Sequence, residues 1–266
     1  MDQNTLEQLL SDLPLGSLRY FATIGSTNDL AARWAEAGAA DLSLVVADEQ
    51  TAGRGRLMRR WLTPAGSGLA FTLVLREGKD ELLAHLPHVT ALGALAVCDT
   101  LNAALSPVTP AQVKWPNDVL ASRRKLAGVL AEAHWRGDQL VALILGIGIN
   151  VAPASVPPVE ALDFPATCVE AELERAVDRW ELLHAVLGKL LEWRKRLDAP
   201  DLIQAWERRL AFRGEWVSLQ AENQEPLEGQ VLGLNPDGSL RLRLRSGEVA
   251  GFQFGEIRLR PRGQAI

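Results

Sequence analysis

The sequence of 266 residues has only two cysteines, and none of its apolar runs approaches the roughly 20 residues needed to cross a bilayer. Cys98 and Cys168 stand in apolar or helical surroundings, without a partner at a CxxC or metal-ligand spacing. Both are therefore expected to be reduced thiols. The first 15 residues also lack the basic start of an export signal. These absences predict a cytoplasmic protein that is neither exported nor membrane-spanning.

Several common catalytic motifs are missing as well. The chain has no P-loop, and GIGINV (146–151) has valine where a dinucleotide-binding fingerprint needs its third glycine. AGSGL (65–69) has alanine where a nucleophile elbow needs glycine. His85 and His88 are three residues apart but have no evident third metal ligand. Covalent catalysis and zinc chemistry are therefore not expected.

The chain is acidic overall, with a net charge of -5, so it lacks the broad basic surface typical of nucleic-acid binding. One segment departs from this balance. TAGRGRLMRRW (51–61) contains four arginines and two glycines and no carboxylate. We therefore expect no nucleic-acid partner. We interpret the cationic segment as a local feature and not as part of a broad basic surface.

Hydrophobic periodicity and turn residues predict the elements that surround this segment. Strands are expected at 42–50 and 68–76, so that the cationic segment connects two buried strands. A strand-and-turn unit is expected at 111–121, and a hairpin at 125–151 with RGD as its turn. The predicted helices lie at 26–38, 87–105, 170–198 and 201–210.

The pattern of apolar and turn residues changes near residue 212. The following segment consists of short alternating strands separated by the turn signals NPDG and SG. In LRLRLR (240–245) the leucines face one way and the arginines the other, which indicates a half-buried sheet. We predict two domains, a larger α+β domain at 1–212 and a small β-barrel at 213–266.

The residue types in and near the cationic segment suit an anionic ligand. Arginine binds phosphate and carboxylate through a planar fork of donors, and glycines let backbone approach a ligand. Trp61 offers a plane on which a nucleobase can stack. Lys114, Asn117, Asp118 and Lys125 follow in KWPND and RRKLAG, and Asp118 adds a carboxylate suited to magnesium. The segment is expected to be mobile when empty, and a plain solvated surface loop is the alternative.

Taken together, these motifs resemble those of the bacterial biotin protein ligases. STN (26–28), EQTAGRGR (49–56), Trp61, KWPND (114–118), KLAG (125–128), GIGIN (146–150) and GEIRLR (255–260) occur in the order typical of that family. The set covers the chain from about residue 20 onward. A single motif would be weak evidence, whereas the ordered set is highly specific.

The resemblance implies a mixed β-sheet with packed helices, related to the class II aminoacyl-tRNA synthetases, followed by an SH3-like barrel. It implies that biotin and ATP with magnesium give biotinyl-5'-AMP and pyrophosphate, with no tightly bound prosthetic group. The biotinyl group then passes to a lysine of the biotin carboxyl carrier protein of acetyl-CoA carboxylase. Both a monomer and a homodimer are compatible with the sequence.

The resemblance also implies roles for individual residues. Lys125, Arg54 and Arg56 are expected to act in catalysis, and Asp118 to bind magnesium. The ATP and adenylate site would comprise Arg54, Arg56, Arg59, Trp61, Asn117, Lys125 and Asn150. The biotin site would comprise Ser26, Thr27, Asn28, Gln50, Gly53, Arg54, Gly55, Arg56, Lys125, Gly128, Gly146 and Gly148.

Some of these assignments have a structural alternative. Ser26 could serve only as a helix cap, Gly146 and Gly148 as strand irregularities, and Asn117 with Asp118 as turn formers. A lipoate-type acyl ligase or transferase on the related scaffold is the alternative enzyme. A nucleic-acid-binding module with an SH3-like barrel is the alternative from another class.

Two features depart from the family pattern. Met58 stands where the family usually has a third loop glycine, so we expect altered retention of the adenylate without loss of activity. Only about 20 residues precede the catalytic motifs, whereas the repressor members carry a helix-turn-helix domain there. We therefore expect no DNA-binding repression.

Overall fold

The computed structural model describes residues 1–57, 59–76, 78–84, 86–104, 109–162, 164–197, 200–221, 225–253 and 257–261. Met58, His85, the predicted helix end at 105 and the first two residues of GEIRLR therefore lie outside the described residues. Within these ranges the helices are α1 (Gln3–Leu9), α2 (Thr27–Glu36), α3 (Lys79–Ala84), α4 (Leu86–Asn102), α5 (Val169–Leu173), α6 (Arg179–Arg194) and α7 (Pro200–Arg208).

The strands fall into two sheets. The first contains β1 (Leu18–Ile24), β2 (Ser43–Gln50), β3 (Gly68–Leu75), β4 (Gln112–Lys114), β5 (Asp118–Ala121), β6 (Arg124–Arg136) and β7 (Gln139–Asn150). The second contains β8 (Trp216–Ala221), β9 (Leu227–Leu234), β10 (Leu240–Leu244), β11 (Val249–Phe252) and β12 (Ile257–Pro261).

The larger sheet has the strand order β1-β2-β3-β7-β6-β5-β4. Only the β1–β2 pair is parallel among these described strands, and the other neighbours are antiparallel. The sheet is therefore mixed, which confirms the expected α+β architecture. The hairpin predicted at 125–151 is β6 and β7, the longest strands of the sheet.

Helices cover both faces of this sheet. On one face Ala31 and Ala35 of α2 pack against a small cluster that includes Val45 and Ile144. On the other face, larger side chains such as Phe71 join the main core, to which α4 and α6 contribute. Alternate residues of the central strands therefore face α2. The site described below lies on this face of the sheet.

Helix α2 begins where its sequence predicts. The Ser26 hydroxyl accepts a hydrogen bond from the backbone N–H of Asp29, at 3.4 Å, and so caps the helix. Asp29 also places negative charge in the first turn, where the helix dipole favours it. This start fixes Thr27 and Asn28, both buried, beside the ends of β2 and β7.

The single helix predicted at 170–198 is wrong, because the structure has two helices there. Helix α5 ends at Leu173, because the next residue, Glu174, is left-handed, with a φ of 53°. Asp178 then caps α6 by accepting from the backbone N–H groups of Trp180 and Glu181, at 2.8 and 3.2 Å. The apolar spacing in the sequence continues through this break, which explains the error.

The C-terminal strands form an antiparallel sheet in the order β11-β10-β9-β8-β12, which agrees with the expected all-β tail. Leu240 and Leu242 are buried while Arg243 is exposed, as their alternation predicts. The NPDG turn of this sheet contacts the turn between β4 and β5, where the Gly238 carbonyl accepts a 3.0 Å hydrogen bond from the Trp115 indole. None of the described helices has the length and apolar character that crossing a bilayer requires.

Candidate active site

A cavity of about 440 Å³ opens on the α2 side of the large sheet. It lies at the ends of β2 and β7, beside the first turn of α2 and beneath the cationic segment 51–61. The structure brings nearly all of the predicted site residues to its wall, namely Ser26, Thr27, Asn28, Gln50, Arg54, Gly55, Arg56, Arg59, Trp61, Asn117, Asp118, Lys125, Gly128, Gly146, Gly148 and Asn150. Gly53, immediately before Arg54, is the one predicted residue that does not line it.

One wall of the cavity is a hydrogen-bonded pair of uncharged side chains. The Gln50 Oε1 atom accepts from the Thr27 backbone N–H at 2.8 Å and from the Thr27 hydroxyl at 3.0 Å. The Gln50 amide nitrogen lies 3.4 Å from the hydroxyl of Thr63, to which it donates. These bonds fix the Gln50 amide in one orientation, so this wall presents a defined set of donors and acceptors.

Asn28 occupies the space that Gly146 leaves open. A β-carbon at Gly146 would come within 2.1 Å of the Asn28 Oδ1 atom. That oxygen accepts a 2.7 Å hydrogen bond from the Thr72 hydroxyl, and the Asn28 amide donates to Glu132 Oε2 at 2.8 Å. Gly146 is therefore required by a protein side chain that itself lines the cavity.

Trp61 is held in the same way by the next glycine along β7. A β-carbon at Gly148 would come within 2.3 Å of the Trp61 ring, and one at Gly128 within 3.2 Å. The strands are in regular register at both positions, so the alternative interpretation of Gly148 as a strand irregularity is wrong. The Lys125 ammonium lies 5.5 Å from the centroid of the indole.

A carboxylate between two lysines forms the charged end of the cavity. The Asp118 carboxylate accepts from Lys125 Nζ at 2.6 Å and from Lys114 Nζ at 3.2 Å. Burial alone would raise the pKa of Asp118, but Lys125 and then Lys114 outweigh it and hold that pKa well below its usual range. Asp118 is therefore ionised, and the two ammonium groups are fixed beside each other despite their like charge.

These contacts do not fit a resident magnesium ion at Asp118. Each of its carboxylate oxygens already accepts from a lysine, and magnesium requires free oxygen ligands in octahedral geometry. Over the part of the chain that the structure describes, no three acidic, histidine or cysteine side chains group together as a metal site. Asp118 suits the role of a counter-ion that positions the lysines.

Arg56 lies against the KWPND turn. Its Nη1 atom donates to the Asn117 side-chain oxygen at 3.2 Å. The Asn117 amide in turn donates to the Val129 carbonyl at 2.8 Å, which ties the turn to β6. Burial lowers the pKa of Arg56 and the nearby Asp118 carboxylate opposes that shift. Asn117 is therefore more than a turn former, because it orients a cationic side chain at the cavity wall.

Arg54 has acidic partners that its own segment lacks. It forms two parallel hydrogen bonds to Glu132, at 2.8 and 3.0 Å, and an ion pair with Asp29 at 2.7 Å. The segment itself contains no carboxylate, and the partners of Arg54 come from β6 and α2. The local sequence of the loop could not reveal this pairing.

The remaining predicted residues differ in how closely their surroundings constrain them. A β-carbon at Gly53 would lie 2.4 Å from the Trp61 carbonyl, whereas Gly55 has ordinary space around it. The Asn150 amide donates to the Thr167 carbonyl at 3.1 Å and is buried. Ser26 acts as a helix cap and also lines the cavity, so its two interpretations are compatible.

Sequence reasoning missed Glu132 and Thr72, which join several of these residues. Side chains alternate along a strand, so Gly128, Leu130 and Glu132 of β6 lie on the same face. That periodicity, counted from the glycine, could have identified Glu132. Thr72 could not be found in this way, because its importance depends on the register that places it opposite Gly146.

Known proteins resemble this chain over most of its length. The model of the biotin/lipoate A/B protein ligase family matches residues 20–150. The biotin–acetyl-CoA-carboxylase ligase of Paracoccus denitrificans is 37% identical over 230 residues, which are 85% of this chain and 94% of that protein. The chain belongs to this family, and within it to the biotin protein ligases.

Solved biotin protein ligases share the fold over nearly their whole length. The enzyme from Aquifex aeolicus in complex with biotin and ATP superimposes with a TM-score of 0.79 at 29% identity, covering 92% of this chain and 99% of that one. The enzyme from Leishmania major in complex with biotinyl-5-AMP gives 0.61 at 26% identity, covering 90% and 99%. The mixed sheet and the C-terminal sheet are thus the architecture of biotin protein ligases.

Proposed function

We propose that this chain is an ATP-dependent biotin protein ligase that uses the cavity above β6 and β7 for both steps of the reaction. In the first step a biotin carboxylate oxygen attacks the α-phosphorus of ATP, and the bond to the pyrophosphate oxygen breaks. The observation that carries the proposal is the division of one cavity into an uncharged hydrogen-bonding wall and a cationic end. A ligand with a neutral polar ring and an acidic tail matches both.

The uncharged wall is assigned to the ureido ring of biotin. Ser26, Thr27, Asn28 and Gln50 provide hydroxyl and amide groups there. Thr27 and Gln50 are already oriented by bonds to each other, and Ser26 is oriented by the bond that it accepts from the α2 backbone. Fixed donors and acceptors favour a ligand whose own polar groups match them, and they disfavour an apolar dithiolane ring. The valeryl chain would run past Gly128 and Gly148 toward the lysines.

The cationic end is assigned to the reacting groups. Two like charges near 4 Å repel by about 4 kcal/mol at an effective dielectric constant near 20, so a carboxylate needs help to approach a phosphate. Lys125 and Arg56 would offset that repulsion and stabilise the charge that moves onto pyrophosphate. Asp118 and Asn117 would keep these two cations in place.

Segment 51–61 is assigned to the nucleotide and to the exclusion of water. Trp61 and Asn150 would contact the adenosine part, and Arg59 would border the phosphates. The mixed anhydride is labile in water, so a covering segment protects it until the acceptor arrives. A neutral carrier lysine then attacks the acyl carbon, the bond to the phosphate oxygen breaks, AMP leaves, and the amine loses a proton.

The acceptor is assigned by chemistry to a lysine on a biotin carboxyl carrier protein. The Paracoccus denitrificans relative bears the name of a ligase for acetyl-CoA carboxylase, which supports this class of acceptor. A lipoate-type ligase is not favoured, because the relatives and solved structures reported above are biotin ligases.

The proposal is tested by calorimetric titration of biotin into the purified protein, followed by ATP with magnesium and an assay of pyrophosphate release without carrier. We expect biotin binding and about one pyrophosphate released per protein, because the adenylate stays bound. Lipoate and octanoate serve as matched control ligands. Binding of either one in place of biotin would overturn the assignment.

A further inference from the structure

Glu132 lies two residues beyond Leu130, which lines the cavity, and on the same face of β6 as Gly128 and Leu130. Its side chain is about one-third exposed, and it is the carboxylate on β6 that meets both α2 and segment 51–61. Nothing in the chemistry proposed above requires an acidic group at this place. Its contacts therefore call for a separate explanation.

The two oxygens of Glu132 accept three hydrogen bonds. Oε1 accepts from Arg54 Nη1 at 2.8 Å, and Oε2 accepts from Arg54 Nη2 at 3.0 Å and from the Asn28 amide at 2.8 Å. Paired parallel bonds between guanidinium and carboxylate fix orientation as well as distance. Glu132 thus joins the cationic segment to a residue of the uncharged cavity wall.

Two backbone hydrogen bonds connect the residues next to Arg54 with residues later in the same segment. The backbone N–H of Gly55 donates to the Arg59 carbonyl at 2.7 Å, and that of Trp61 donates to the Gly53 carbonyl at 2.9 Å. These bonds connect Gly53 with Trp61 and Gly55 with Arg59. A fixed Arg54 side chain, between the two glycines, therefore holds these paired residues against the sheet.

We propose that Glu132 is a positioning residue that clasps Arg54 and Asn28, so that residues 53–57 and 59–61 lie closed over the cavity. Arg54 then acts as the segment's clasp and does not bind the substrate anions. Asp29 supports the clasp from α2 with an ion pair at 2.7 Å. The inference deepens the proposed function, on which it rests, by assigning the closure of the site to one carboxylate.

The first test needs no substrate and so stands apart from the proposed function. Trypsin cleaves after arginine, and a clasped hairpin resists cleavage because its backbone cannot enter the protease. We expect Glu132→Gln and Arg54→Met each to speed cleavage within residues 56–60 of the ligand-free protein about fivefold, the effect of losing about 1 kcal/mol. Unchanged cleavage there, or cleavage spread over the whole chain, would overturn the clasp.

The second test is a double-mutant cycle on adenylate release. Biotinyl-AMP is formed on the wild type, Glu132→Gln, Arg54→Met and the double variant, and its dissociation rate is measured after dilution. We expect about fivefold faster release in each single variant and an increase in the double variant well below the product of the two, because both changes break the same Arg54–Glu132 pair. Multiplying effects, or an effect of Arg54→Met alone, would mean that Arg54 acts directly on the ligand.

The chain offers a matched control for both tests. Arg123 and Glu215 form a fork of the same kind, at 2.8 and 2.9 Å, and neither residue lines the cavity. The variants Arg123→Met and Glu215→Gln should leave hairpin cleavage and adenylate release unchanged. Equal changes in these controls would show a general effect of surface ion pairs and would overturn the specific role of Glu132.

Discussion

The indole of Trp61 lies against the bare backbone of Gly148, so closely that a β-carbon there would come within 2.3 Å of the ring. The second nearest glycine, Gly128, leaves 3.2 Å for such an atom. The glycines of KLAG and GIGIN thus create a flat surface on which the hairpin's aromatic residue rests. Trp61 owes its position to residues 67 and 87 positions away in the sequence.

This contact predicts graded effects of adding one methyl group. Gly148→Ala should displace Trp61, cost roughly 1–3 kcal/mol of stability through overpacking, and raise the KM for ATP about tenfold. Gly128→Ala should have a smaller effect on stability and on the KM for ATP, because the Trp61 ring needs to move by only a few tenths of an ångström. Thermal unfolding and pyrophosphate-release kinetics measure the two quantities.

Gly188 in α6 is the matched control, because a β-carbon there meets no atom within 4 Å. Gly188→Ala should leave the KM for ATP unchanged and should stabilise the protein by roughly 0.5–1 kcal/mol, since glycine weakens a helix interior. An equal KM for ATP in Gly148→Ala and the wild type would show that Trp61 does not contribute to nucleotide binding.

The sequence predicts the elements well where local chemistry decides them. Ser26 and Asp29 mark the start of α2, and the long alternating strands of the 125–151 hairpin are found as expected. The break between α5 and α6 was missed because it depends on the left-handed Glu174 and the cap at Asp178. Both residue types also occur within helices, so their types alone do not mark a break.

The sequence predicts which residues form the site but not which of them pair with one another. Motifs identify the residues that surround the cavity, since most have a side chain suited to an anionic or polar ligand and the others are glycines, which leave space beside the backbone. The pairing of Arg54 with Glu132 joins residues 78 positions apart and depends on strand register. The role of Asp118 also depended on distance, because only the structure brings Lys125 within 2.6 Å of it.

Asp118 predicts a specific dependence of stability on pH. Its pKa in the folded protein is lowered, so its contribution is present above its unfolded pKa of about 4 and is lost as the pH falls below that value. Asp118→Asn should destabilise the protein by roughly 3 kcal/mol at pH 7, since the buried Lys114 and the partly exposed Lys125 lose their counter-charge. The difference from the wild type should shrink below about pH 4.

Urea unfolding of both proteins between pH 3 and pH 8 measures this difference. The exposed Asp138 at the hairpin tip is the control, and Asp138→Asn should change stability by at most about 0.5 kcal/mol. A constant difference between wild type and Asp118→Asn down to pH 3 would mean that the carboxylate charge is not what stabilises the lysine pair.

Met58 carries a prediction that comes from the sequence alone. The biotin protein ligases usually have glycine at this loop position, and methionine disfavours the left-handed backbone that glycine allows. We expect Met58→Gly to change the dissociation rate of biotinyl-AMP while pyrophosphate release in the first turnover persists. Rapid-dilution measurement of adenylate release tests it, and equal rates in the two proteins would contradict it.

The contact between Gly238 and Trp115 predicts that the C-terminal sheet supports the active site. Gly238 has a φ of +79°, and a β-carbon there would lie 3.0 Å from the Trp206 ring and 3.1 Å from Pro87. Its carbonyl also holds the buried Trp115 indole, whose neighbours in KWPND include Lys114. Gly238→Ala should therefore lower stability by roughly 2 kcal/mol and raise the KM for ATP severalfold.

Gly247 separates backbone strain from this contact. It also has a positive φ, of +88°, in a turn of the same sheet, but a β-carbon there meets no atom within 4 Å. Gly247→Ala should cost roughly 1 kcal/mol through strain alone and leave the KM for ATP unchanged. If Gly238→Ala behaves like Gly247→Ala in both unfolding and kinetics, the turn contributes only its own folding energy. A raised KM for ATP in Gly238→Ala alone would instead mean that the contact between the sheets holds KWPND in its working position.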